Sequence, residues 1–541
     1  MPSPALPVLL AALFLATPSL AQSIEKIWAT NCLKCHGDEG QGGGAGTSTL
    51  LTDELMAAKY DRIFFDTIKH GKAEAEGASG MEAFGEALEN KEVWGLVNHI
   101  RELQANAHRE RLGSISKKLN DEGICSTQRE KFTIQRIITD DLDTPWAVDW
   151  LPTQSGSPQR MLVTNRSGAV KVWTIEDPRE PSNGKLSNAI AGIPKATEVG
   201  QGGMMEVSVH PDYATNGWVY LSYTKSLDGS KTMTTVVRGK LAQQEKGWQW
   251  TDQQTIFEAR KEHAIASGQH FGTRIVFSAP LTRQTTGAVD GAGAVAAAGP
   301  DAGKRYLYFT IGERGQAAHA QLLWRPNGKV HRVFDDGTIP TDNPFVGVKV
   351  DDQDAYPSIY SYGHRNPQAL VADLDGNLWD TEHGPRGGDE LNLILKGRNY
   401  GWPLVSFGIN YNGTSFKTPW ADTEPSPQSE AAQQLDIMMP TDRWMPSIGA
   451  CGMDVVRGGA LGEAFPNWKG DLVAGGLSGS NVDRIRIVAS SEEPSGFRVA
   501  EREEIVHGIG RVRDVAVAPD GSVYVVLNDP NHVIRLCPIA K

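Results

Sequence analysis

The spacing of apolar positions changes twice along this chain. Leu9 to Leu15 is an unbroken apolar run, LLAALFL. From Ile24 the spacing becomes helical. Ile24, Ile27, Trp28 and Asn31 form one stripe, and Val93, Trp94, Leu96, Val97, Ile100 and Leu103 form another. A period near 3.6 predicts amphipathic helices. Beyond about Ile124 the pattern shortens to aromatic and β-branched runs, several preceded by an Asp-Gly, Asn-Gly or Lys-Gly turn. Six such segments begin at Met161, His210, Arg305, Ala372, Phe465 and Ala518. Their recurrence predicts a six-bladed β-propeller with long loops between blades. A β-sandwich leaves those long inserts unexplained. The expected organisation is a small all-α unit over 22–106, a polar linker over 107–123 and an all-β propeller over 124–541.

The first apolar run is too short to span a bilayer. It is followed by Pro18-Ser19-Leu20-Ala21, with small residues where a signal peptidase reads. Residues 1–21 are therefore expected to be a cleaved signal peptide, giving a periplasmic or secreted protein without stable membrane insertion. A net charge of −12 argues against a nucleic-acid partner. With 58 Gly and 14 Trp, the chain is rich in turns and large aromatic anchors. Thr282 to Gly303 is small-residue, low-complexity sequence, expected to be a surface loop.

Cys32-Leu33-Lys34-Cys35-His36 carries the first specific chemistry. C-x-x-C-H is the attachment signature of c-type haem: two thiols add to the porphyrin vinyl groups, and the adjacent imidazole becomes the proximal iron ligand. No second Cys/His pair follows at zinc-site spacing. With its flanking helices, this unit resembles the class I cytochrome c family. That resemblance implies Met81 as the second iron ligand. Met56 is the competing sulfur and is read as core filler, and His70 and His99 are read as surface histidines. Glu82 stands where the family often has proline.

Tyr362 to Pro403 holds the densest cluster of His, Arg, Asn and carboxylates. Arg365 and Asn366 suit an anion or a polarised carbonyl. Gly384-Pro385 suits backbone carbonyls turned toward a hard cation such as calcium. The simpler reading makes Asp389 and Glu390 surface charges and Asn399 to Trp402 packing. Further motifs are Gln201-Gly202-Gly203, His210-Pro211-Asp212, His270 to Arg274, Gly328-Lys329-Val330, Asp342-Asn343-Pro344 and Arg511 to Asp514. In this order they resemble the soluble quinoprotein glucose and aldose-sugar dehydrogenases, six-bladed propellers that use pyrroloquinoline quinone (PQQ).

The resemblance implies roles position by position. His270 is the base that takes the sugar hydroxyl proton, and Arg365 stabilises charge on the quinone oxygen. Gln201, Asn366, His383, Asp389 and Ser447 line the cofactor site, and Arg511 and Arg513 grip the cofactor carboxylates. Gly384 and Pro385 hold the cofactor calcium, while Glu390 and the Tyr400 carbonyl form a second calcium site. Ser478-Gly479-Ser480 replaces a lysine of the glucose enzymes, and His383 replaces a glutamine. The run Glu382 to Glu390 looks like the aldose-sugar branch.

The expected activity is oxidation of an aldose at the anomeric carbon, with electrons passing through PQQ to haem c and then to an external acceptor. Two alternatives are a PQQ enzyme for sorbosone or another aldehyde or alcohol, and a non-catalytic propeller tethered to a haem. Cys125 and Cys537 flank the propeller sequence, so a disulfide between them is expected to staple its closure. Cys451 is then left over as a buried, small apolar side chain.

Overall fold

The computed structural model describes residues 22–539 apart from 44–46, 53, 56–59, 75–79, 113–121, 154–155, 280–303, 416–435 and 459–462. The leading apolar run, Met56 and most of the expected linker lie outside the described residues, as does the low-complexity segment. No helix among the described residues is long and apolar enough to cross a membrane.

The N-terminal unit contains helices α1 (Ile24–Asn31), α2 (Leu33–His36), α3 (Tyr60–His70) and α4 (Asn90–Leu112). Ser23 caps α1, its Oγ accepting the Lys26 N–H at 3.3 Å. The two stripes legible in the sequence meet in one core: Ile24, Ile27 and Trp28 pack with Val93, Leu96, Val97 and Ile100. The sequence reading did not include α3, although Phe64, Phe65 and Ile68 sit at helical spacing and complete that core. Helix α4 runs on to Leu112, into the stretch expected as linker. His-Arg-Glu-Arg-Leu at 108–112 is polar but contains good helix formers, and polarity alone does not end a helix.

The remainder forms six antiparallel blades. Their innermost strands are Pro145–Leu151, Met204–Val209, Ile275–Phe277, Pro367–Ala372, Ala450–Val455 and Arg511–Val517. Each of the six sequence segments supplies the second strand of a different blade: Gln159–Asn165, Trp218–Asp228, Tyr306–Ile311, Leu378–Glu382, Leu472–Gly476 and Val523–Asn528. The ring closes where Lys131–Ile138 pairs antiparallel with His532–Pro538, the two ends of the propeller segment sharing the sixth blade.

The expected Cys125–Cys537 disulfide is not formed. Cys125 lies opposite Phe132 on one edge of Lys131–Ile138, and Cys537 lies opposite Thr133 on the other. Two strand spacings separate the thiols by about 9.5 Å, beyond the roughly 7 Å a disulfide spans. Phe132 and Thr133 are also successive, so their neighbours face opposite sides of the sheet. Cys451 is fully buried, as its packing role requires.

One face gathers the loops that matter. Inner strands start at this face, and the turn between a blade's second and third strands returns to it. Five of the six inner strands carry a register irregularity near that start, between Pro145 and Val148, Met204 and Val207, Pro367 and Ala369, Ala450 and Met453, and Val512 and Asp514. Such bulges bend a strand and re-aim a side chain.

Candidate active site

His270 lies just before the inner strand of the third blade, buried and at φ +53°. Few non-glycine residues adopt that conformation, and its cost is offset by bonds on both sides of the residue. The His270 N–H donates to Gln201 Oε1 at 2.9 Å, and its Nδ1 is bonded to the carboxylate of Glu313. A carboxylate accepts, so Nδ1 carries the proton and Nε2 keeps its lone pair. Burial pulls the His270 pKa below the usual range. Glu313 pulls it up, and the Arg365 and Arg314 charges pull it down. The net effect is a neutral imidazole, oriented as a base.

Arg365 and Asn366 sit between the third and fourth blades. The Arg365 N–H donates to Glu382 at 2.6 Å, Nη1 reaches the His383 carbonyl at 3.2 Å, and the guanidinium lies over Trp402 at 5.2 Å. Asn366 accepts the Gly272 N–H at 3.2 Å and lies 3.4 Å from His383 Nδ1. Burial and the charges of Arg365, His270 and Arg513 push the His383 pKa down to about 3. Arg365 Nε and His383 Nε2 are buried without a hydrogen-bond partner. Unpaired polar atoms in such a position fit a polar ligand.

Arg513 occupies the irregularity between Val512 and Asp514. It contacts Asn528 and Gln368, each at 3.2 Å, and Cys451 Sγ at 3.6 Å. Arg511 is exposed at the strand start. Beneath them Arg274, next to the inner strand of the third blade, reaches three other blades: it donates to Glu206 at 2.7 Å, Asp514 at 2.8 Å, the Gln368 carbonyl at 2.7 Å and the Arg513 carbonyl at 3.0 Å. This buried hub fixes the floor under the arginines.

Asp389 turns inward. Its carboxylate accepts Gly384 N–H at 3.0 Å, Ser447 Oγ–H at 2.7 Å and Ala450 N–H at 2.8 Å. It therefore organises the Gly384-Pro385 turn and Ser447 with every oxygen engaged inside the protein. A Cβ on Gly384 would lie 2.3 Å from the Gly387 carbonyl, so the turn admits only glycine there.

A second carboxylate group lies beside Glu390 and Tyr400. His364, Asp380 and Glu382 are buried with their ligand-type atoms within 4.8 Å of one another. Asp380 presents both oxygens without a hydrogen-bond partner. Burial pushes Asp380 and Glu390 well above the carboxylate range, and Glu382 adds to this. Tyr400 stacks on His364 at 4.4 Å between ring centroids. This donor set fits a divalent cation.

In the N-terminal unit, Cys32 and Cys35 are not joined to each other. His36 Nδ1 is buried without a hydrogen-bond partner, and burial lowers the His36 pKa, keeping the ring neutral for a metal. Met81 packs against the core that includes Trp28, whose ring lies 6.0 Å from His36. These residues fit a haem. His99 is less exposed than expected, packed edge-on to Trp28 at 5.1 Å.

Sequence reasoning missed Glu313, Gln368, His364 and Asp380. Glu313 stands in Gly312-Glu313-Arg314-Gly315, at the end of the segment that begins at Arg305, and His364, Gln368 and Asp380 fall inside the dense cluster from Tyr362 to Pro403, so each had a visible signal.

Residues 142–535 match the family model for glucose/sorbosone dehydrogenase, and residues 19–100 match that for cytochrome c oxidase, cbb3-type, subunit III. The chain is 35% identical over 406 residues to aldose sugar dehydrogenase YliI of Escherichia coli (strain K12), covering 74% of this chain and 92% of that protein. The structure of the soluble aldose sugar dehydrogenase of Escherichia coli in the apo form matches with a TM-score of 0.58 and 32% identity, over 75% of this chain and all (100%) of that one. The PQQ-bound aldose sugar dehydrogenase of Streptomyces coelicolor shares the fold at a TM-score of 0.51 and 22% identity, over 76% of this chain and 100% of its own. The chain thus belongs to the glucose/sorbosone dehydrogenase family, with a cytochrome c domain at its N-terminal end.

Proposed function

We propose that this protein oxidises aldoses at the anomeric carbon to lactones, using PQQ held with calcium, and passes the electrons to a haem c at Cys32, Cys35 and His36. The carrying observation is the His270–Glu313 pair beside Arg365, Asn366 and His383. Bound PQQ supplies a two-electron acceptor for the hydride. His270 Nε2 takes the anomeric hydroxyl proton, with Glu313 holding Nδ1 and stabilising the imidazolium that forms. Arg365 offers positive charge where negative charge develops. Arg513 and Arg511 would hold carboxylates of the cofactor. Gly384 and Pro385 would present carbonyls to one calcium. Glu390 and the Tyr400 carbonyl, with Asp380 and Glu382, would hold another. His36 and Met81 would bind the haem iron. The C-x-x-C-H motif and the apolar run at 9–15 favour export to the periplasm or beyond.

The test is to load purified protein with calcium and PQQ, offer an aldose panel with sorbosone alongside, and follow haem absorbance. Aldose-driven haem reduction that requires both additions is expected. Reduction by sorbosone alone would redefine the substrate, and no oxidation of any substrate would leave only a binding module.

A further inference from the structure

One of the contacts between the N-terminal domain and the propeller is made at the loop that follows the Gly384-Pro385 turn. Arg386 is its next residue. Nε and Nη2 of Arg386 donate to the two oxygens of Glu102 on α4, at 3.0 and 2.8 Å, and Nη1 is bonded to Glu25 on α1. The Arg386 carbonyl accepts Asn98 Nδ2–H at 3.1 Å. Its backbone pairs with Ile409, whose side chain is buried in the core of the N-terminal domain. The approach is close: a Cβ on Gly387 would lie 2.5 Å from Asn98 Oδ1.

Behind Glu102 the packing is continuous. Its carboxylate lies 3.9 Å from His99 Nδ1, His99 packs on Trp28 at 5.1 Å, and Trp28 lies 6.0 Å from His36 of the haem motif. Sugar chemistry gives no reason for this arrangement, since the Arg386 guanidinium is engaged by Glu102 and Glu25 of the other domain. Electron tunnelling falls exponentially with distance, and less steeply through bonded or closely packed atoms than across a gap. A seat that joins the quinone-metal turn to the haem motif is therefore a functional geometry.

We propose that Arg386 is a positioning residue for electron transfer: it seats the cytochrome domain on the 384–388 loop and closes a packed route, Arg386–Glu102–His99–Trp28–His36, between the quinone site and the haem. The route rests on the function proposed above. Each aldose oxidised delivers two electrons, and the haem iron takes one at a time. Two successive ferric-to-ferrous reductions, each followed by electron loss to an external one-electron acceptor, clear one sugar, and the released protons go to solvent.

The test uses holoprotein loaded with calcium, PQQ and haem. Glu102→Gln and Glu102→Arg should leave sugar oxidation by a small artificial dye unchanged. Sugar-driven haem reduction should slow about tenfold or more, because the route is broken at its first contact and the effective concentration of haem at this loop falls. The radius of gyration from small-angle scattering should rise in Glu102→Arg. The exchange Glu102→Arg with Arg386→Glu should restore both haem reduction and compactness, which a merely structural loss would not do. Wild-type haem reduction in Glu102→Arg, or failure of the exchange to rescue either readout, overturns the route. Dye-linked oxidation in the wild type without any haem reduction overturns the haem as acceptor, and this route with it, while leaving the sugar chemistry standing.

Discussion

Glu313 holds His270 from one side while its own N–H is held by the other catalytic candidate: its carboxylate bonds His270 Nδ1, and its backbone N–H donates to the Arg365 carbonyl at 2.9 Å. Base and electrophile are thus spaced by one residue. His270→Ala should lower haem reduction at saturating aldose by about a hundred- to ten-thousand-fold, with quinone binding largely kept. Glu313→Gln should act differently. Glu313 raises the His270 pKa against burial and the neighbouring arginines. Losing its charge should lower that pKa further and move the acid limb of the pH–rate profile to lower pH, together with a smaller maximum rate. An acid limb that moves to higher pH, or unchanged turnover in His270→Ala, would remove this pair from the mechanism.

Asp380 and its neighbours give a metal-removal prediction. Both Asp380 oxygens are buried without a hydrogen-bond partner, beside Glu382 and Glu390. Calcium at one hundred times its dissociation constant stabilises the folded form by about 2.7 kcal/mol. Chelation should therefore lower the melting temperature of the wild type. Asp380→Asn should melt higher than the chelated wild type, because the cost of burying or protonating this carboxyl is gone, and should respond less to added calcium. Equal calcium responses in the two proteins would place no cation here.

The propeller was legible because short aromatic and β-branched strands recur, several after a turn, and all six segments landed on second strands. The helices at Ile24 and Val93 were legible because their stripes bury together. The disulfide was not, because chain ends that share a blade need not share a face: Phe132 and Thr133 put Cys125 and Cys537 on opposite sides. Asp389 was expected to line the cofactor site, and its bonds to Gly384, Ser447 and Ala450 were not legible from residue type alone. Arg386 was equally opaque, since its partners Glu25 and Glu102 lie hundreds of residues away in sequence.

Met81 packs on the same core as Trp28, which adjoins His36. Thioether ligation of ferric haem gives a weak far-red absorption band. Met81→Ala should abolish that band and lower the haem potential, while Met56→Ala should leave both unchanged. Optical titration of the two variants decides the ligand, and loss of the band in Met56→Ala would reverse the assignment.

Asp61 joins the two domains at a second point. It is 4% exposed, its Oδ1 accepts Arg101 Nε–H at 2.6 Å within the cytochrome domain, and its Oδ2 is bonded to Arg443 of the propeller. Arg101 is itself buried and is also tied to the Leu55 carbonyl and Gln104, each at 2.7 Å. Burial already presses the Arg101 pKa down, and Arg443 adds to that, whereas Asp61 opposes it. Asp61→Asn would leave two guanidinium groups close together without their shared anion. Breaking a buried pair in this way costs about 3–5 kcal/mol, while an exposed pair would cost about 1 kcal/mol or less. Denaturant unfolding of Asp61→Asn, Arg443→Met and the double variant separates the contributions. A coupling energy near zero would mean that Asp61 serves only Arg101; a coupling of about 1 kcal/mol or more would assign Asp61 a share in holding the cytochrome domain on the propeller.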